Sequence, residues 1–188
     1  MEAHLAAYLE KAEIMLKQLP GFSDKVQQAA QTIVTSLKQG GKVLTCGNGG
    51  SAADAQHIAA ELIGRYLKDR PAYAAIALTT DTSILTAVGN DYSYADIFAR
   101  QVDGLGKKGD VLIAISTSGN SENVIRAVQK AKEKQVYVIG LLGRDGGKLK
   151  PLVDLALIVP AQDTPIIQIG HSILYHSMCH QVENELLG

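Results

Sequence analysis

Five short apolar runs recur after residue 41, at 42–46, 74–78, 111–116, 137–142 and 155–159. Each is nearly continuous rather than alternating, the pattern of a strand buried on both faces. Each closes on a polar or glycine-rich turn. The segments between them, 52–66, 83–104 in one or two pieces and 121–134, are long enough for crossover helices. Strand, loop, helix and strand in succession predict a parallel α/β sheet with right-handed crossovers. Residues 164–187 read as one long helix with Pro165 in its first turn.

Upstream of the first run, Leu5, Leu9, Ala12, Leu16 and Leu19 fall at helical spacing over 1–19, and Pro20-Gly21 breaks that helix. A second amphipathic helix puts Val26, Ala29, Ile33, Val34 and Leu37 on one face, with Ser23 as N-cap and Gly40-Gly41 as the stop. Residues 1–40 are too small a unit to fold alone. They are predicted to pack on the sheet or on another subunit. A chain of 188 residues can bury a core without covalent staples, so Cys46 and Cys179, far apart, are expected to be reduced thiols. A net charge of -1 offers no polybasic surface for nucleic acid. No apolar run is long enough to cross a bilayer, and MEAHLAAYLEK lacks the pattern of a secretory signal. The expectation is a cytoplasmic protein without nucleic-acid or membrane partners.

In an open parallel sheet, ligands bind beyond the carboxyl ends of the strands. Two loops there stand out: Gly47-Asn48-Gly49-Gly50-Ser51 and Ser116-Thr117-Ser118-Gly119-Asn120-Ser121. Each precedes a helix N-terminus, where free N–H groups and the helix dipole favour an anion. Neither is a Walker A motif or a dinucleotide fingerprint. Gly, Asn and Ser also simply cap helices and turn chains. Two such loops, rich in hydroxyls and without a lysine, fit a phosphosugar better than a nucleoside triphosphate.

His57 and Glu61 are four apart and share a helix face. Gln168 and His176, eight apart, lie about 80° from one another on the last helix, with His171 between them. Such a polar stripe on an apolar helix requires partners. Singly, each has a plain reading. His57 fits a solvated histidine, Glu61 with Arg65 a helical ion pair, and His171 and His180 structural or surface residues. The His57/Glu61 spacing lacks the second histidine of the HExxH zinc motif.

The segments CGNGGSAADAQHIAAELIGRY, AVGND, GDVLIAISTSGNSENVIRA, GRDGGKL and IIQIGHSILYH resemble the SIS (sugar isomerase) domain family and, within it, the phosphoheptose isomerases. The resemblance implies one SIS domain over 1–188. Its five-stranded parallel sheet would lie between helices in three flavodoxin-like layers, with the N-terminal helical segment 1–40 and a long C-terminal helix. It implies conversion of sedoheptulose 7-phosphate to D-glycero-D-manno-heptose 7-phosphate through an enediol, feeding bacterial heptose and surface-glycan synthesis. One zinc per subunit is implied, held by His57, Glu61, Gln168 and His176, with Glu61 and His176 also the acid–base pair. Substrate contacts are implied at Asn48, Gly49, Gly50, Ser51, Glu61, Arg65, Asn90, Asp91, Ser116, Thr117, Ser118, Ser121 and Gln168, and a homotetramer with active sites near subunit interfaces. In this chemistry a carboxylate removes the proton beside the carbonyl and an imidazole handles the oxygen protons.

The chain departs from the family where Ile166 and Ile169 stand in place of an Arg and a Glu, and Pro165 in place of an Asp carried by some members. Gly170 is expected to weaken its helix by roughly 1 kcal/mol against Ala. Two other functions share the fold: a non-enzymatic tetramer that binds the replication initiator, and an isomerase of another phosphosugar. Retention of Glu61 and His176 argues against the first.

Overall fold

The computed structural model describes residues 2–187; Met1, where the first expected helix begins, and Gly188 lie outside the described residues. The chain runs α1 (Glu2–Leu16), a 3-10 turn (Leu19–Phe22), α2 (Ser23–Lys38), β1 (Val43–Cys46), α3 (Gly50–Ile63), β2 (Ala75–Ala77) and α4 (Thr82–Asp91). A second 3-10 turn (Tyr94–Asp96) leads to α5 (Ile97–Leu105), β3 (Val111–Ser116), α6 (Glu122–Glu133), β4 (Tyr137–Gly143), β5 (Leu155–Val159) and α7 (Thr164–Leu187). The five strands form one parallel sheet in the order β2-β1-β3-β4-β5. That is the flavodoxin-like order, with its switch point between β1 and β3.

The two-residue period of the strands divides their side chains between two cores. Val43, Val111, Ile113, Ile115, Ile139, Leu141 and Leu157 meet α2, α3 and α7 through Ile33, Ile58, Leu62, Ile167 and Leu174. Leu44, Leu112, Ala114, Val138 and Leu142 meet α5 and α6 through Phe98, Val102, Val124 and Val128. Each large aliphatic side chain buried this way contributes roughly 1.5–3 kcal/mol, which is why the central runs are continuous in the sequence.

Some boundaries differ from expectation. The expected 52–66 helix begins at Gly50 and stops at Ile63, and 83–104 splits into α4 and α5. Asp81 caps α4, its side chain accepting from the Ile84 N–H at 2.9 Å. Ser23 does not cap α2. The 3-10 turn feeds straight into the helix, so Phe22 is the cap and the Ser23 hydroxyl donates back to the Pro20 carbonyl at 2.8 Å. Gly170 proves to be a packing residue. A Cβ there would lie 2.6 Å from a Val159 methyl, so its absence lets α7 settle on β5. Ile166 is buried and Ile169 packs against the same core. Of the five apolar residues predicted to line the first helix, Ala12 and Leu19 are buried, whereas Leu5 and Leu9 stay 63% and 59% exposed. Both cysteines are free and buried, and burial pushes each thiol up to about 12, so they are unreactive near neutrality.

His171 is fully buried, and its Nε2–H donates to the Leu142 carbonyl at 2.9 Å. Burial pushes its pKa down from 6.5 to about 4, against the hydrogen bond to Leu142, which raises it. The unfolded chain therefore binds a proton that the native chain does not. Stability falls as pH drops from 6.5 towards 4, by about 3 kcal/mol over that window. Denaturant titrations across this range are expected to show a shallower pH dependence in His171→Leu than in the parent.

Candidate active site

Chain directions part at the switch point, and the two predicted anion loops leave the carboxyl ends of the adjacent strands β1 and β3. The loops are tied together. Asn48 and Asn123 exchange two amide hydrogen bonds, each 2.8 Å, and the Tyr94 hydroxyl donates to Asn48 Oδ1 at 2.9 Å. The Asn48 side chain is thus a strut between loops. Gly49 and Gly50 are exposed and leave the backbone approachable. Ser51 is turned inward, 4% exposed and packed against Gly47. The close turn at Gly47 takes up the space beside its side chain.

In the second loop the Ser116 and Ser121 hydroxyls lie 3.1 Å apart, and Ser116 Oγ accepts from the Gly119 N–H at 3.1 Å. Thr117, Ser118 and Ser121 are half-buried at the surface of the turn. Gly119 has φ +67°, and a Cβ there would run into the Gly146 carbonyl. Only glycine permits this conformation and this approach. The GRDGG turn braces the loop from behind, the Leu149 N–H donating to the Gly119 carbonyl and the Lys148 N–H to Asn120 Oδ1.

Helices α3 and α7 run side by side in one direction, since Gly50 abuts Gln168 and His57 meets Tyr175 and His176. His57 Nε2 lies 2.9 Å from Glu61 Oε1, and His176 Nε2 lies 3.9 Å from the same oxygen. One ligand atom from each of the three residues falls within 4.8 Å of the others. The His176 Nδ1–H donates to the Ser172 carbonyl at 2.7 Å, which turns Nε2 towards Glu61. Their side chains remain 46% (His57), 19% (Glu61) and 31% (His176) exposed, so a ligand can reach them. Gln168 lies earlier on α7. Its amide rests on Gly50, at the N-terminus of α3 and about two helical turns before His57. Burial pushes the Asp54 carboxyl up, opposed by His57 and the Tyr175 hydroxyl, which favour its charged form.

The predicted Glu61–Arg65 ion pair does not form. Helix α3 ends at Ile63, Arg65 is exposed on the following loop, and the Glu61 carboxylate turns to the two histidines. The residue that grips this stretch is Arg70, which donates to the Glu61 carbonyl at 2.6 Å and the Leu62 carbonyl at 2.9 Å. Its Nε–H reaches Glu183 at 3.0 Å, and both side chains are 1% exposed. Glu183 also accepts the N–H groups of Tyr66, Leu67 and Lys68. Burial alone would raise the Glu183 pKa, but these donors outweigh it and hold the carboxyl below its usual range. Sequence reading missed Asn123, Arg70, Glu183 and Tyr175. The available signal for Glu183 was an acid beside Val182 at the inward face of an apolar helix. Asn90 and Asp91 are exposed at the end of α4 and bond to each other at 2.8 Å rather than to either loop.

Known proteins share this arrangement of elements. The SIS domain profile matches residues 7–143. The chain is 52% identical over 176 residues to the phosphoheptose isomerase of Helicobacter pylori, covering 94% of this chain and 92% of the relative. It is 51% identical over 188 residues to the phosphoheptose isomerase of Clostridium acetobutylicum, covering 100% of this chain and 95% of the relative. It superposes on the structure of phosphoheptose isomerase GmhA from Neisseria gonorrhoeae with a TM-score of 0.92 at 45% identity, covering 97% of this chain and 98% of that one.

Proposed function

The chain belongs to the SIS domain family, and on that premise we propose that it interconverts D-sedoheptulose 7-phosphate and D-glycero-D-manno-heptose 7-phosphate through an enediol. It is an aldose–ketose isomerase of the phosphoheptose isomerase kind, serving the first step of bacterial activated-heptose synthesis. The observation that carries this reading is the convergence of His57, Glu61 and His176 on one spot, further along the helix that starts at the GNGGS loop. From Gly50 to His57 that helix rises about 10 Å, a span that suits a seven-carbon chain with its phosphate at the loops and C1–C2 beside Glu61.

The backbone of Asn48, Gly49 and Gly50 and the hydroxyls of Ser116, Thr117, Ser118 and Ser121 take the phosphate end. Gln168, beside Gly50, is assigned to the substrate as well. Glu61 carries a proton between C1 and C2: Oε1 faces the histidines, and Oε2 is left to exchange the proton. His176, held by Ser172, aims Nε2 at the same spot, where it would meet either the ion or the substrate oxygens but not both at once. Because Glu61 and His176 are only 3.9 Å apart, no sugar carbon fits between them. The pair is assigned to one side of the substrate.

Two imidazoles and a carboxylate within 4.8 Å form a donor set that fits zinc. His57, Glu61 and His176 would hold the ion; on the family resemblance Gln168 is a fourth ligand, although its amide rests at Gly50. When bound, the ion supplies Lewis-acid polarisation of the carbonyl and hydroxyl oxygens. The whole chain is read as one domain, since β5 pairs with β4 and α7 packs on α2 beyond the matched segment. A homotetramer is proposed: α1 leaves Leu5, Leu9 and Ile14 exposed, and α4, which carries Asn90 and Asp91, has no buried residue. A neighbouring subunit would cover both and bring Asn90, Asp91 and Arg65 towards a ligand. No described helix is long and apolar enough to cross a membrane, and a cytoplasmic location fits the biosynthetic step. Stripping metal with a chelator is expected to abolish turnover of sedoheptulose 7-phosphate, and zinc to restore it. Five- and six-carbon ketose phosphates are expected to turn over at least tenfold more slowly; equal rates would point to another phosphosugar.

A further inference from the structure

We propose that Tyr175 is a positioning residue that sets the tautomer and orientation of His57 for metal ligation, with Asp54 behind it as the final acceptor. The proposal rests on the metal reading above. His57 Nε2 faces Glu61, so it is the nitrogen that would ligate. A ligating nitrogen carries no proton, and the ring proton must then sit on Nδ1. The Tyr175 hydroxyl lies 3.0 Å from that Nδ1, and the two rings meet edge to face with centroids 5.5 Å apart. Tyr175 comes from α7, is 2% exposed, and directly precedes His176. One buried tyrosine thus ties the two helices that supply the ligands.

A phenol that accepts a proton from His57 still has its own to place. Ser172 Oγ, 3.4 Å away, donates to it. Asp54, one turn before His57 on α3, has a buried Oδ2 without a hydrogen-bond partner among the described residues. The Tyr175 hydroxyl is close enough to favour the charged form of that carboxylate. A small shift of the Asp54 carboxylate or the Tyr175 phenol would complete the sequence of His57 Nδ1–H to Tyr175 and Tyr175 O–H to Asp54. This is the carboxylate–histidine–metal arrangement lengthened by one phenol, and such outer partners commonly govern metal affinity by 10–100-fold. A residue needed only for packing could be phenylalanine here. The hydroxyl, flanked by an imidazole and an orphaned carboxylate, has a separate purpose.

Tyr175→Phe keeps the ring and removes the hydroxyl. Zinc affinity measured by competition with a chromophoric chelator is expected to fall about 10–100-fold, with the melting temperature of the metal-free protein little changed. The visible spectrum of the Co2+-loaded protein is expected to shift. Asp54→Ala is expected to weaken zinc in the same direction, and the double variant no more than Tyr175→Phe alone. On a His57→Ala background, Tyr175→Phe is expected to have no further effect. Wild-type zinc affinity in Tyr175→Phe, or the same loss in the absence of His57, would overturn the proposal alone. Failure of the parent protein to bind zinc would overturn the metal reading and this proposal together.

Discussion

Glu61→Gln is expected to lower kcat for sedoheptulose 7-phosphate by about 10³-fold. The substitution preserves shape and leaves the fold in place, because Arg70 grips the Glu61 carbonyl rather than its side chain. An amide cannot accept a proton from carbon, and general acid–base catalysis by a positioned side chain contributes about 10²–10⁴-fold. The same carboxylate lies against both histidines, so the change also weakens any metal held there. Measuring kcat at saturating zinc separates the two effects. His176→Gln is expected to follow the same pattern, since it removes the ring nitrogen that the Ser172 contact turns towards Glu61. Near-wild-type kcat in either folded variant would remove that residue from the chemistry.

Glu183→Ala is expected to cost about 3–5 kcal/mol, the typical effect of removing one partner from a buried ion pair. The Arg70 guanidinium, 1% exposed, would lose its only anionic partner among the described residues and keep backbone carbonyls. Three backbone N–H groups, of Tyr66, Leu67 and Lys68, would lose their shared acceptor at the same time. Against a total stability of about 5–15 kcal/mol, that is a large fraction. The denaturant midpoint is expected to fall accordingly. Any folded fraction should also show reduced turnover, because the same arginine anchors the end of α3 that carries Glu61. Replacing both partners by apolar residues of similar volume is expected to restore most of the stability. A loss under about 1 kcal/mol in Glu183→Ala would show that water, not Glu183, satisfies this loop.

The sheet was legible because both faces of its strands are buried, and that writes continuous apolar runs into the chain. Val111–Ser116 and Leu155–Val159 match their predicted limits, and the other three strands match to within one residue at either end. The anion loops were legible as glycine and serine clusters at strand ends, and His57 with Glu61 as an i, i+4 pair on one helix. What the sequence concealed are contacts between distant segments. Asn48 and Asn123 are 75 residues apart, Arg70 and Glu183 113, and His57 and Tyr175 118. Nothing local marks such pairs. Gln168 is another such residue. It shares roughly a face with His176, and its amide rests against Gly50, a contact that helical spacing alone does not reveal. The plain reading of Glu61 with Arg65 as a helical ion pair fails for a simpler reason: the helix that would have brought Arg65 beneath Glu61 stops at Ile63.

The most direct test of the central claim is to follow sedoheptulose 7-phosphate by 1H and 31P NMR in D2O, using the zinc-loaded protein with its metal content measured in the same sample. An enediol route through Glu61 predicts growth of the aldose phosphate to equilibrium, with solvent deuterium entering at C2, and neither signal in Glu61→Gln. No aldose phosphate from protein carrying one zinc per chain, or product formed equally well by Glu61→Gln, would contradict the account.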